Sequence, residues 1–332
     1  MSILVTGASG FVGLNVVEHL LERGQTVVAF ADRPPPDLAA RDFARFGAAY
    51  RPLIGDVRDE VEVRRALDAN QVDRVMHAAA VTSAAQRERT EGARTLDVNL
   101  VGLAATASAA AQHGVARFVM IGSNAIFGGD TPDGATLAED APKNPGNLYA
   151  LSKWTGEMVL AHYGRSSGLD WTVGRLAGVF GPWEYRTGMR DTMNPVFQST
   201  AVAVAGGAAA LPRPGASNWH FARDAAAALA MLLLAPTHRH NIHNLGTPFV
   251  WSIGDWCALL EPRFPGFAYT IGKGGGVPID LYADHDGAIL SGARFADEFG
   301  PTGTNDLHQA FAIYMDWLEG HDFFGVATRG AK

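Results

Sequence analysis

The sequence predicts a doubly wound α/β fold, a parallel sheet with helices on both faces, followed by a smaller C-terminal lobe. Three observations predict it. Strand-like and helix-like segments alternate through the first 180 residues, a glycine-rich turn joins the first strand to the first helix, and the pattern breaks after Gly181. Alternating β and α segments make βαβ units, and their parallel sheet is buried on both faces.

Residues 3–6 are a short apolar run ending in Thr6, and the apolar spacing over 11–23 reads as a helix. Residues 25–31, 49–54 and 74–77 read as further strands, with helices over 60–69 and 93–113 between and beyond them. A buried strand follows over 117–121, then a long loop, a helix over 149–163 and a strand over 171–176. Past Gly181, short elements are interrupted by Pro195, Gly206, Gly207, Pro212, Pro214 and the glycines of 272–276. The expected division is a sheet domain over 1–180 and a lobe over 181–332, with the chain crossing back near 218–246. No internal repeat is visible.

Composition narrows the class. The chain has 332 residues, 47% hydrophobic and 18% charged, so it has enough apolar surface to offset the entropy of ordering and disorder is excluded. The longest apolar runs, 201–211 and 225–235, are eleven residues each, short of the ~20 a bilayer span needs. A net charge of −7 without a basic block argues against nucleic acid as a partner. A single cysteine, Cys257, allows no internal disulfide, and the N-terminus does not read as a signal peptide, so a cytoplasmic location is expected.

The glycine turn carries the first chemistry. In Thr6-Gly7-Ala8-Ser9-Gly10-Phe11-Val12-Gly13, Gly7 permits the tight turn, Gly10 lets backbone approach a pyrophosphate, and Gly13 packs the helix near the strand. The helix N-terminus then faces the negative charge. This is a Rossmann-type dinucleotide site. Asp32 lies nineteen residues beyond Gly13, where a carboxylate accepts the adenosine ribose hydroxyls and favours NAD over NADP. Arg33 beside it points the other way, since a guanidinium accepts a 2′-phosphate.

Tyr149-Ala-Leu-Ser-Lys153 places a phenol and an ammonium on one helix face. Only four of the 27 basic side chains that are Lys or Arg are lysines, at 143, 153, 273 and 332, so a lysine at this spacing stands out. The nearby positive charge stabilises phenolate and makes Tyr149 a usable general acid/base. Ser123, just after the strand over 117–121, can orient the reacting oxygen.

On these motifs the chain resembles the extended short-chain dehydrogenases/reductases of the NAD-dependent epimerase/dehydratase family. Gly55-Asp56-Val57, His77-Ala78-Ala79-Ala80, Asn99 and the run from Arg175 to Pro182 extend the likeness along the chain. The resemblance implies NAD as cofactor, with Asp56 and Val57 at the adenine and Ala78, Ala79 and Ala80 along the cofactor. Phe11, Val12, Asn99, Ile121 and Leu176 complete that set. Lys153 then also bonds the nicotinamide ribose, and Ser123 and Tyr149 hold the reacting oxygen. Family members are often homodimers through two long helices, so a homodimer is expected.

Departures from the family pattern shape the functional expectation. Family dehydratases carry an acid pair directly after the catalytic hydroxyl, where this chain has Asn124 and Ala125. Supports for a diphosphate correspond here to Gly178, Ser217 and Lys273, while Trp183, Tyr185, Arg186 and Arg190 enrich the segment after the strand over 171–176. Aromatic rings stack on sugar faces and the arginines clamp an anionic group. Thr82, Ser123, Asn124, Gly178, Arg186, Arg190 and Trp219 are the expected substrate residues. The first expectation is therefore an NAD-dependent oxidoreductase acting by hydride transfer on a secondary alcohol or carbonyl of a small sugar or sugar acid. The alternatives are an NAD-dependent nucleotide-sugar epimerase and a non-catalytic NAD sensor or scaffold. His238, His240 and His243 lack a completing ligand, and no metal is expected.

Overall fold

A computed structural model describes residues 1–82, 85–129, 131–186, 192–303 and 305–325, with side chains at 85–87 left aside. Seven parallel strands form the central sheet: β1 (Ser2–Thr6), β2 (Thr26–Ala31), β3 (Tyr50–Ile54), β4 (Arg74–His77), β5 (Arg117–Ser123), β6 (Trp171–Leu176) and β7 (Ile242–Leu245). Their order is β7-β6-β5-β4-β1-β2-β3. Connections run outward in both directions from β1 and β4, so the crevice of the fold lies between the carboxyl ends of these two strands.

Alternation along β1 explains the two cores. Ile3 and Val5 face one side with Val17 and Leu20 of helix α1 (Phe11–Glu22), while Leu4 faces the other with Val28, Phe30 and Phe118. On that second face lie α3 (Glu60–Ala69), α5 (Gly102–His113) and α6 (Leu148–Ser167); α2 (Asp37–Phe43) precedes α3 in the chain, and α4 (Ala85–Leu96) precedes α5. The helical run expected over 93–113 is unbroken but changes pitch. Asp97–Val101 form a π-helical segment between α4 and α5.

Beyond β6 come α7 (Pro195–Val204), α8 (Ala222–Leu234), α9 (Ile253–Arg263), α10 (Ala293–Phe299) and α11 (Leu307–Gly320). Helix α8 returns to cover the sheet beside α1, and β7 extends the sheet past β6. Trp256 is the centre of an aromatic cluster with Phe180, Trp251 and Phe311 that unites α9 and α11. One buried ion pair fixes α6 against the sheet. Arg175 of β6 forks onto Glu157 at 2.7 and 2.8 Å, and its remaining nitrogen donates to the Glu139 carbonyl at 2.9 Å. Both side chains are almost fully buried, so each charge depends on the other.

Candidate active site

The glycine turn occupies the crevice between β1 and β4. Gly7 has φ of +62°, and a Cβ there would stand 2.6 Å from the Ala79 backbone. A Cβ on Gly13 would stand 2.2 Å from the Gly7 carbonyl oxygen. Both positions admit only glycine, one for conformation and approach and the other for approach alone. The two strand ends are stitched together: Thr6 Oγ1 lies 3.0 Å from His77 Nδ1, and Ala79 N donates to Thr6 Oγ1 at 3.3 Å. No side chain caps α1, and its first turn carries no acid. Its dipole therefore meets any anion at the loop uncompensated.

A cleft of about 820 Å³, open mouth included, runs along this crevice. Gly7, Gly10, Asp32, Arg33, Asp56, Val57, Ala78, Ala79 and Ala80 line it, as do Ser9, Arg58, Arg94 and Val98. Phe11 and Val12 begin α1 beside it and pack on the core. The shape and the loop jammed onto Ala79 fit a dinucleotide. Asn99 is not among the lining residues, and its amide is engaged by protein groups, with Oδ1 accepting from Val81 N at 2.8 Å and Nδ2 donating to Val81 O and Ser152 Oγ. It sits at the centre of the π-helical segment and anchors the chain after β4 to α6.

Arg58 and Arg94, missed in the sequence reading, also line the cleft. Arg58 bonds Asp56 and Asp97, which raises its pKa, and the same bond holds the Asp56 carboxyl below its usual range. Arg33 forks onto Asp32 at 3.1 and 3.0 Å. This pair is open to water, with side chains 36% and 55% exposed, so ribose hydroxyls can displace it at little cost. NAD is expected to bind at least about tenfold more tightly than NADP, a difference of only ~1.4 kcal/mol. Replacing Arg33 by Ala leaves the Asp32 charge unpaired and is expected to widen that ratio. Fluorescence titration with both dinucleotides checks it, and equal affinities in the unaltered protein would overturn the role given to Asp32.

Ser123, Tyr149 and Lys153 gather at the carboxyl end of β5. Ser123 ends that strand, nearly buried, and its Oγ accepts from Ala125 N at 3.2 Å. In the register of the sheet it lies opposite Leu176, the last residue of β6. Asn147 caps α6 through Ala150 N at 2.8 Å, which sets the first turn and hence half-buried Tyr149. One turn on, Lys153 Nζ lies 5.8 Å from the centre of the Tyr149 ring and donates to the Ile121 carbonyl at 2.8 Å. Burial lowers the Lys153 pKa to about 8. Burial, and then the Lys153 charge, lower that of His77 to about 3, so its ring stays neutral near pH 7.

The expected substrate residues divide. Thr82 and Asn124 are half-buried near the ends of β4 and β5, and Arg186 is exposed. Arg190 lies outside the described residues. A Cβ on Gly178 would meet the Trp219 ring at 2.7 Å, so the indole fills the space a side chain would take. Trp219 itself is nearly buried and donates to Gly215 O at 3.1 Å. The expected stacking aromatics turn away. Trp183 is buried between Phe43 and Trp317 and donates to Glu18, and Tyr185 donates to the Ser9 carbonyl. Among the described residues no group of three or more His, Cys, Asp or Glu is placed to hold a metal, and no helix is long and apolar enough to cross a membrane.

Comparison with known proteins gives the arrangement its relatives. The profile of the NAD dependent epimerase/dehydratase family matches residues 3–246. Sterol demethylase protein B of Methylococcus capsulatus is 38% identical over 191 residues, which are 56% of this chain and 54% of that one. The chain thus spans about half the length of that relative. A dTDP-glucose 4,6-dehydratase of Streptomyces antibioticus is 26% identical over 96% of this chain and 92% of its own. Among solved structures, the UDP-glucose 4-epimerase of Thermus thermophilus in complex with NAD superposes with a TM-score of 0.78 at 23% identity, covering 96% of this chain and 99% of that one. With its doubly wound sheet and a match across most of its length, this chain belongs to the NAD-dependent epimerase/dehydratase family of extended short-chain dehydrogenases/reductases.

Proposed function

We propose that this enzyme acts at a secondary alcohol or carbonyl of a nucleotide-activated sugar, through Ser123, Tyr149 and Lys153. Bound NAD supplies a hydride acceptor and donor. The chain does the rest: Gly7, Gly10 and the start of α1 seat the pyrophosphate, Asp32 takes the ribose, and Asp56 and Val57 border the adenine. Ser123 orients the substrate oxygen, Tyr149 moves its proton, and Lys153 keeps a positive charge beside the phenol. The observation that carries the reading is Lys153, fixed by the Ile121 carbonyl of the strand that ends in Ser123.

The nucleotide rests on the relatives. The dehydratase that aligns along nearly the whole chain is named for dTDP-glucose, whereas a free sugar or sugar acid, the first expectation from sequence, has no such support. Asn124 and Ala125 after Ser123 offer no proton-exchanging pair near neutrality, which favours epimerisation or reduction over loss of water. Assembly as a homodimer belongs to the same proposal, supported by the exposed apolar side chains of Leu151 and Met158 along α6.

A second reading rests on the relative named sterol demethylase protein B, 38% identical over 56% of this chain, and takes a hydroxylated ring system such as a sterol as the substrate. One panel separates the two. The NAD-loaded protein is incubated with dTDP-glucose, UDP-glucose and a 3β-hydroxysterol, with absorbance at 340 nm and product chromatography as readouts. Conversion of a nucleotide sugar is expected. Turnover of the sterol alone would replace the first reading with the second.

A further inference from the structure

We propose that Tyr185 is a positioning residue of the glycine-rich loop, holding the Ser9–Gly10 peptide in the orientation that receives the dinucleotide's pyrophosphate. The inference rests on NAD as the cofactor and adds a residue that the glycine motif does not contain. It starts from the three bonds that fasten the segment after β6 to α1 and the loop before it. Asn15 donates to the Pro182 carbonyl at 2.8 Å, Trp183 Nε1 donates to Glu18 at 2.9 Å, and the Tyr185 hydroxyl donates to the Ser9 carbonyl. Trp183 has φ of +65°, a conformation that costs a non-glycine residue stability, yet its indole is locked between Phe43 and Trp317. The segment is held in place by its own packing, and Tyr185 is delivered to the loop as a consequence.

What Tyr185 holds is one peptide group. Gly10 N donates to Gly7 O at 2.9 Å, so with Tyr185 on the Ser9 carbonyl both ends of the Ser9–Gly10 peptide are engaged. The Ser9 hydroxyl is engaged too, donating to the Arg33 carbonyl at 2.9 Å. Ser9 and Gly10 line the cleft, whereas Tyr185 stands outside it. A carbonyl turned into the cleft would set a partial negative charge against a diphosphate, where the start of α1 otherwise offers a positive one. Tyr185 keeps that oxygen turned outward. Burial raises the phenol's pKa, so it remains a donor into the alkaline range.

Tyr185→Phe keeps the ring and removes the bond. Calorimetry with NAD and ADP-ribose, which carry the pyrophosphate, and ligand-observed NMR with adenosine, which lacks it, give the test. Dissociation constants for NAD and ADP-ribose are expected to rise roughly threefold to tenfold, as for loss of one hydrogen bond. Adenosine binding is expected to stay unchanged, and the unfolding midpoint of the ligand-free protein to fall by only about 1–4 °C, as for loss of one hydrogen bond. An unchanged NAD affinity, or an equal loss for NAD and adenosine, would overturn the inference and leave the cofactor assignment standing. An unaltered protein that fails to bind NAD would overturn both.

Discussion

Tyr149→Phe is expected to lower turnover by roughly 10²–10⁴, the usual worth of a general acid/base, with NAD affinity little changed. The substitution removes one oxygen and preserves the ring on the first turn of α6, next to an ammonium 5.8 Å from its centre. Because the proton on the substrate oxygen has to leave as hydride is transferred, losing the phenol affects the chemical step and not the binding of either partner. The expected signature is thus a fall in kcat with KM nearly constant. It is measured on the substrate that the panel identifies, with initial rates at saturating NAD and a separate NAD titration. A variant that retains full activity would remove Tyr149 from the mechanism.

Local pattern revealed the parts of the site that are built locally. The glycine turn between β1 and α1 was legible because Gly7 and Gly13 meet steric limits set within the turn or against the adjacent strand end. Tyr149 and Lys153 were legible because helical spacing alone puts them on one face. Where partners are distant in sequence, the reading went astray. Trp183 and Tyr185 look like a substrate platform in an isolated segment, yet their bonds go to Glu18 and Ser9, 165 and 176 residues away. Asn99 lies in a π-helical segment of the run expected over 93–113, with its amide captured by the Val81 backbone. Arg58 follows the Gly55-Asp56-Val57 motif without belonging to it, Arg94 reaches the cleft from a helix with no motif around it, and α2 follows a run of three prolines.

Lys153→Met is expected to act in opposite directions on function and stability. Turnover is expected to fall by about 10² or more through loss of the charge that favours phenolate, and NAD binding is expected to weaken with it. The ligand-free protein, by contrast, is expected to become more stable near pH 7. Lys153 is buried, with a single carbonyl contact described for its ammonium, and burial draws its pKa from 10.5 to about 8. Such a shift corresponds to a destabilisation of at most ~3 kcal/mol at neutral pH, which an apolar side chain of similar length avoids. The sign follows from proton linkage. Between pH 8 and about 10.5 the unfolded chain binds this proton more tightly than the folded one, so the unaltered protein gains stability as pH rises through that window. Below it the full cost is present, and above it the amine is neutral in both states. Urea unfolding of both proteins at pH 7 and pH 10 is therefore expected to show a gap in favour of the variant that narrows with pH. A variant less stable at pH 7, or a gap that ignores pH, would mean that the folded protein holds this ammonium without strain.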